Sequence, residues 1–221
     1  VDIAKLRLWL SLVVDEDDFG TIKPLPNLDY KIMTGDSLTT QMTKRDLAYK
    51  SWLEDLVKLQ DSIFDQSSPS KKREIKTQIE NILTKLFQEE RDGHRFNYWV
   101  QFNNVMESGG FDIVIANPPY GLLNKKQNKH SSIVLSDKKL SFLKNYFEFQ
   151  KTNHRMINIF QLFVVRSITL LKKRGIFCQI YPLAFTGDVS LYKLRQDILN
   201  SYDLIGIEAF PERDNPKKRV F

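Results

Sequence analysis

The segment FDIVIANPPYG, residues 111–121, constrains the fold more than any other part of the chain. Four apolar residues, 113–116, stand directly before an Asn-Pro-Pro-Tyr turn. A short aliphatic run that ends in a turn predicts a buried strand of an α/β sheet. Asn-Pro and Pro-Pro also mark ordinary loops, but ligands of such sheets bind beyond the carboxyl ends of the strands. The sequence therefore places the tetrapeptide Asn117–Tyr120 in a site at the rim of a sheet.

The tetrapeptide has the groups needed to position a planar amine. The Asn117 side chain and the Pro118 backbone each offer a carbonyl oxygen that accepts a hydrogen bond from N–H. Pro118 and Pro119 hold φ near about −65° and make the loop stiff. Tyr120 offers a flat face for a stacked base. Two accepted hydrogen bonds would aim the lone pair of an amino nitrogen at an electrophile, which suits methyl transfer by positioning and electrostatics.

This segment resembles the signature of S-adenosylmethionine-dependent amino-methyltransferases, above all the N6-adenine DNA methyltransferases, which carry (Asn/Asp/Ser)-Pro-Pro-(Tyr/Phe/Trp). The resemblance implies that the Asn117 side chain and the Pro118 carbonyl bind the adenine amino group. It implies that Tyr120 stacks on the flipped-out base. The catalytic set is thus Asn117, Pro118, Pro119 and Tyr120, and Asn at the first position favours adenine over cytosine.

A second match lies at Gly35-Asp36-Ser37, after a strand predicted at 28–33. Methyltransferases of this family carry an acid after their third strand, and its carboxylate accepts a hydrogen bond from the adenine amino group of the cofactor. The resemblance implies that S-adenosylmethionine is held by Asp36, Ser37 and Asn117. Taken alone, Asp36 is equally suited to a simple turn.

Strands that alternate with helices predict a parallel α/β sheet. The resemblance implies a Rossmann-like methyltransferase sheet, incomplete at its N-terminal side because no Asp-Pro-x-x-Gly-x-Gly cofactor loop occurs. The apolar patterns predict helices at 1–14, 141–151, 157–172 and 191–199, and strands at 113–116, 176–181 and 204–210. Lys172 to Gly175 would form the last helical turn and its stop.

Residues 41–108 interrupt the sheet pattern. Apolar residues recur there at helical spacing on both sides of a QSSPS turn, which predicts a helical hairpin with Ser68 as N-cap and Pro69 as first helical residue. The aromatic segment 94–102 is expected to pack in the core. We therefore predict a methyltransferase core in two parts, 1–40 and 109–221, separated by the helical insertion 41–108.

Positive charge concentrates after the tetrapeptide. Residues 121–156 hold eight basic and two acidic residues, which accounts for the net charge of +6 of the 221-residue chain. Neutralisation of phosphates is the main source of nucleic-acid affinity. Lys125, Lys126 and Lys129 are therefore candidate contacts to a DNA backbone. Charge alone fits a solvated lysine-rich loop equally well.

Composition argues against several other classes of protein. The single cysteine, Cys178, gives no disulfide framework and is expected to be a small core residue of a cytoplasmic protein. No apolar run approaches the about 18 residues of a membrane span, and the start of the chain lacks a signal-peptide layout. The three histidines lack metal-ligand spacing, so no metal is assigned.

A cofactor site that precedes Asn-Pro-Pro-Tyr is the gamma-type order. Together with the insertion and the RLWLSLV and AFTGD segments, it resembles the methylase part of single-chain type IIG-like restriction–modification enzymes. This implies double-stranded DNA as partner, with a cofactor loop and possible nuclease upstream and target recognition downstream in the same protein. No nuclease motif is recognised in this chain. Phe221, with Phe210 as reserve, matches an aromatic residue that sandwiches the flipped base.

Two other functions remain open at this stage. Protein-glutamine and ribosomal-RNA guanine N-methyltransferases share Asn-Pro-Pro-(Tyr/Phe), although the large insertion and the basic segment argue against the compact glutamine enzymes. Alternatively, a chain without the cofactor loop is a non-catalytic DNA-binding remnant or a specificity partner.

Overall fold

The computed structural model describes residues 1–14, 28–38, 49–87, 96–124, 132–134, 141–143, 145 and 158–210. The chain divides into two compact units, Val1–Ser108 and Gly109–Phe221. Parallel strands and helices together make it a mixed α/β chain, as the alternating pattern predicts.

The described part of the first unit is helical. Its helices are α1 (Asp2–Val13), α2 (Lys50–Asp65), α3 (Pro69–Leu86), α4 (Tyr98–Gln101) and α5 (Asn103–Glu107). The predicted helices at the start of the chain and on both sides of the QSSPS turn are confirmed. Pro69 opens α3 behind Ser68 as predicted, but the Ser68 hydroxyl lies 2.9 Å from Ser70 Oγ and makes no cap bond to the backbone.

Helices α2 and α3 bury the apolar stripe that their sequences predict. The stripe forms one cluster with residues that follow α3, and its buried members are Leu53, Leu56, Ile63, Ile79, Leu83, Leu86, Phe87 and Val100. Full burial of each Leu or Ile contributes about 1.5–3 kcal/mol. The hydrophobic seam therefore holds this helix pair together.

The described part of the aromatic segment 94–102, residues 96–102, packs in the core as expected. Phe96 and Tyr98 are buried, and their rings meet edge to face with centroids 4.9 Å apart. Asn97 caps α4 by accepting a hydrogen bond from Trp99 N at 2.9 Å, and its own N–H donates to Gln101 Oε1 at 2.7 Å. These buried polar groups are thus satisfied inside the aromatic packing.

The strand predicted at 28–33 is wrong, because these residues form a turn. Lys31 N–H donates to Leu28 O at 3.1 Å, and Tyr30 takes a φ of 61°, which an extended strand does not permit. Asp29 pairs with Lys5 of α1 and with Lys76 of α3, the latter at 2.7 Å. The turn is therefore fixed by ion pairs to two helices and not by pairing with a neighbouring strand.

The Asp29 pairs predict acid sensitivity of the first unit. Burial raises the pKa of Asp29, but hydrogen bonds and charge from Lys5 and Lys76 outweigh it, so the pKa lies below its ordinary value of 3.8. A carboxyl with a depressed folded pKa stabilises the fold above about pH 4, and this contribution is lost as pH falls through the folded pKa. We expect Asp29→Asn to melt at lower temperature than the unaltered chain at pH 7 and to lose less stability on acidification. Circular-dichroism melts between pH 7 and pH 2 measure this; parallel profiles of the two proteins would contradict it.

The second unit contains the strands. In chain order its described elements are β1 (Phe111–Ala116), β2 (Leu122–Asn124), β3 (Ser132–Val134), α6 (Ile159–Thr169), β4 (Leu171–Gln179), α7 (Ala184–Gly187), a 3₁₀ turn (Val189–Leu191) and α8 (Tyr192–Ser201). Strands β1 and β4 pair in parallel, and so do β2 and β3. The predicted strand 113–116 is confirmed as part of β1 and the predicted helices are confirmed as α6 and α8, while the strand predicted at 176–181 is confirmed at 176–179, the second half of β4. The helix predicted at 141–151 is described only at 141–143 and 145, which are helical.

Helix α6 ends earlier than its sequence predicts. Lys172 to Gly175 belong to β4 rather than to a last helical turn, so that prediction is wrong. Phe111 faces Leu171 but Ile113 faces Ile176, so β4 carries extra residues at a bulge, where Arg174 takes a φ of 66°. The chain passes from helix to strand without a long loop because the bulge absorbs the mismatch.

The β1–β4 sheet is buried on one face. Helix α6 contacts both strands, and Val114 and Phe177 point to the partly buried side. The opposite face is exposed: 57% of Ile113 and 78% of Ile115 are accessible, and Ile176, Cys178 and Ile180 are exposed beside them. The expectation of a fully buried strand and of a core Cys178 is therefore wrong in this structure, because Ile115 and Cys178 are register partners on the uncovered face.

The strand predicted at 204–210 does not form. These residues are exposed and irregular, and among the described residues no strand pairs with them. Without a neighbouring ladder the apolar run has no hydrogen-bond partners to define a strand. None of the helices that the structure describes is long and apolar enough to cross a membrane.

Candidate active site

The tetrapeptide lies at the carboxyl end of β1. Ala116, the residue before Asn117, pairs with Gln179, and its carbonyl accepts a hydrogen bond from Ile180 N at 3.1 Å. At the other end of β1, exposed Asp112 pairs with Lys172, whose hydrogen bond holds the pKa of that carboxyl below its ordinary value. Because contacts to β4 and Ile180 hold both ends of β1, the point at which Asn117 leaves the sheet edge is defined.

Asn117 and Tyr120 turn toward each other. The Tyr120 hydroxyl donates to Asn117 Oδ1 across 3.5 Å, a long and therefore weak hydrogen bond. Asn117 is exposed, whereas Pro118 is buried and Tyr120 is partly buried. Burial raises the pKa of Tyr120 above its ordinary value of 10.0, so the phenol is protonated at neutral pH. The amide carbonyl thus stays at the surface, while Pro118 is buried beneath it and Pro119 is exposed.

The backbone of Gly121, directly after Tyr120, is bonded on both sides. Its N–H donates to Asn158 Oδ1 at 3.1 Å, and its carbonyl accepts from Ile159 N at 2.9 Å. Its φ is 147°, a region that favours glycine. Sequence reasoning missed Asn158. The available signal was an Asn directly before an apolar helix, which is a preferred N-cap.

Sequence reasoning also missed two glutamines, one at the end of β4 and one at the start of α6. Gln179 is the register partner of Ala116, and its Nε2 donates to Phe160 O at 3.5 Å. Gln161, in the first turn of α6, is only 2% exposed. The Oε1 atoms of both side chains lack a hydrogen-bond partner among the residues that the structure describes. The inner side of the sheet edge is therefore more polar than an aliphatic strand suggests.

The predicted cofactor residues Asp36 and Ser37 lie in the first unit. Asp36 Oδ1 accepts a hydrogen bond from Leu38 N at 3.1 Å, which fixes the carboxylate in a local turn. Gly35 is packed so closely against the Phe96 ring that an added Cβ would lie 2.2 Å from Cγ of that ring. Asn117 belongs to the second unit, so joint cofactor binding by the three residues stays a prediction.

The residues predicted to contact the DNA backbone and the second face of the base are only partly described by the structure. Lys125, Lys126, Lys129 and Phe221 lie outside the described residues. Phe210 is described and is 62% exposed. In the described part of the chain, no three His, Cys, Asp or Glu side chains are grouped so that they could hold a metal ion.

The sequence profile of the Eco57I restriction-modification methylase family matches residues 1–215. The chain belongs to this family. A putative type II restriction enzyme and methyltransferase of Methanocaldococcus jannaschii is 29% identical to this chain over 103 residues, which are 47% of this chain and 7% of that protein. No solved structure matches this chain significantly. The predicted resemblance to the methylase part of a restriction–modification enzyme is thus confirmed, and the chain spans a small part of the relative's length.

Proposed function

We propose that this methylase transfers a methyl group from S-adenosylmethionine to the exocyclic N6 of an adenine in double-stranded DNA, as part of a type IIG-like restriction–modification enzyme. The observation that carries the proposal is the exposed Asn117 carbonyl on a double-proline loop at the carboxyl edge of parallel strands. Membership of the methylase family supports DNA as the substrate. A parallel strand pair with a helix on one face is consistent with a Rossmann-like sheet, which is part of the proposal.

The residues of the loop hold the amino group. Asn117 Oδ1 and the Pro118 carbonyl accept its two N–H bonds, so the nitrogen lone pair points away from both acceptors. The Pro118 carbonyl receives no hydrogen bond from the residues that the structure describes. The long bond from the Tyr120 hydroxyl to Asn117 Oδ1 is readily exchanged for a shorter one from the substrate.

Tyr120 binds the base itself. An adenine inside a duplex cannot reach the loop, so it must leave the helical stack. Stacking on an aromatic ring contributes about 1–3 kcal/mol per base and offsets part of that cost. Phe221 is proposed to cover the second face of the base, and Lys125, Lys126 and Lys129 to bind the phosphates beside it.

Asp36, Ser37 and Asn117 are proposed to hold the cofactor. When bound, S-adenosylmethionine supplies an electrophilic methyl group. A carboxylate accepts up to about four hydrogen bonds, and Asp36 is oriented by Leu38 N, which suits recognition of an adenine amino group. The insertion 41–108 would then separate the two parts of the core, 1–40 and 109–221.

The proposal is tested with the full-length protein and labelled S-adenosylmethionine. Unmethylated duplex DNA, ribosomal RNA and a protein with an accessible glutamine are offered as substrates in parallel. We expect label in DNA alone, recovered as N6-methyladenine after digestion to nucleosides. Label in RNA or glutamine would overturn the choice of substrate. DNA binding without cofactor binding in calorimetry would instead favour a non-catalytic remnant.

A further inference from the structure

The loop that carries Asn117 and Tyr120 is fixed to a helix as well as to its own strand. The helix is α6, and the contact point is Gly121, the residue after Tyr120. Asn158 and Ile159 bond the N–H and the carbonyl of this one residue. Because 37 residues separate Gly121 from Asn158, the attachment is tertiary rather than local.

Asn158 has two bonding partners. Its Oδ1 accepts from Gly121 N at 3.1 Å and from Phe160 N, in its own helix, at 3.4 Å. The shorter bond goes to the loop. The first turn of α6, which follows Asn158, is held in place because Ile159 and Phe160 are buried within the second unit. The position of Gly121, and with it the end of the tetrapeptide, is thus held from the start of α6 by the Asn158 amide oxygen together with the Ile159 N–H.

We propose that Asn158 is a positioning residue for the tetrapeptide. Its hydrogen bond with Gly121 N, called the latch below, keeps Tyr120 and Asn117 in the orientation that the substrate amine needs. This inference rests on the proposed function. Gly121 is buried, so loss of the bond would leave a buried N–H without its acceptor. A displacement of about 1 Å at a reacting group lowers a rate by about 10²-fold.

A helix cap alone would give Asn158 a purely structural role, and two substitutions separate the roles. Asn158→Asp retains an oxygen at the Oδ1 position and keeps both bonds. Asn158→Ser keeps a good N-cap, but its hydroxyl is one bond shorter and is not expected to reach Gly121. The matched control is Asp188→Ser, since exposed Asp188 caps a short turn by accepting from Ser190 N at 2.8 Å.

The experiment compares these variants in the full-length protein. Single-turnover methylation, melting temperature and hydrogen exchange of the peptide 117–121 are measured. We expect Asn158→Ser to slow methyl transfer by about 10²-fold and to speed exchange of the peptide 117–121. Its melting temperature should fall more than that of Asp188→Ser because the buried Gly121 N–H loses its acceptor, but the protein should remain folded at the assay temperature. Asn158→Asp and Asp188→Ser should keep the rate and the exchange protection of the unaltered protein.

Two results would overturn the latch. One is unchanged exchange and rate in Asn158→Ser, and the other is a loss in both Asn158 variants that follows the melting temperature. Exchange is measured without substrate, so it tests the latch by itself. An unaltered protein that methylates no DNA would refute the proposed function, and the catalytic purpose of the latch with it, even if exchange changes as expected.

Discussion

Replacing Asn117 with alanine is expected to lower the rate of DNA methyl transfer by the full-length protein by about 10²–10³-fold, the range for removal of one preorganised hydrogen-bonding group. The Asn117 side chain is exposed at the sheet edge, and among the residues that the structure describes its carbonyl accepts the weak 3.5 Å hydrogen bond from the Tyr120 hydroxyl. Its loss therefore removes an acceptor for the substrate amine with little cost to packing. The measurement is single-turnover methylation with saturating cofactor and DNA.

Two comparison variants make the Asn117 result specific. Asn117→Asp keeps an acceptor oxygen and should retain more activity than Asn117→Ala. Asn200→Ala removes an exposed amide from α8 and should change nothing. Equal rates for Asn117→Ala and the unaltered protein would refute the assignment of the loop, whatever the fate of the latch at Asn158.

Gly110→Ala is expected to destabilise the second unit by about 2–6 kcal/mol, of which strain contributes about 1–3 and overlap about 1–3. Gly110 has a φ of 119°, and an added Cβ would lie 2.5 Å from the Leu170 carbonyl oxygen and 2.8 Å from Lys172 N. Both are backbone atoms, so no side-chain rotation relieves the overlap. The passage from α6 into β4 must shift instead.

Neighbouring glycines separate strain from overlap. Gly109 shares the unusual backbone, with a φ of 98°, but its added Cβ would lie 3.8 Å from its nearest neighbour. Gly109→Ala should therefore cost only the strain, and Gly206→Ala, which meets nothing within 4 Å, should be nearly neutral. Urea titration followed by hydrogen exchange in β1 and β4 measures all three. Equal losses of unfolding free energy in Gly109→Ala and Gly110→Ala would contradict the predicted cost of the steric overlap at Gly110.

The sequence was most informative where one element carries a strong pattern by itself. The spacing of apolar residues predicts α2, α3 and α6, because the apolar residues that each helix buries lie within one local segment of the sequence. The run 113–116 likewise predicts β1 from a single local pattern, although one face of the strand is exposed. The placement of Asn117 at the sheet edge then follows from one strand and one turn.

Long-range bonds account for what sequence reasoning missed. The turn at Tyr30 depends on Asp29 pairing with Lys5 and Lys76, which are distant in sequence. The bond from Gly121 to Asn158 is likewise invisible to local patterns. Lys172 to Gly175 have the composition of a helix end, yet pairing with β1 takes them into a strand. In each case a tertiary contact outweighed a local preference.

The bare side of the β1–β4 sheet has a practical meaning for anyone who produces this polypeptide in isolation. Four isoleucine side chains on this face are exposed to water, those of Ile113, Ile115, Ile176 and Ile180. Parallel sheets are usually covered on both faces. We expect molecules of the isolated chain to associate through this exposed apolar face. Solubility of the isolated material is thus governed by an area remote from the loop where the chemistry is proposed to occur.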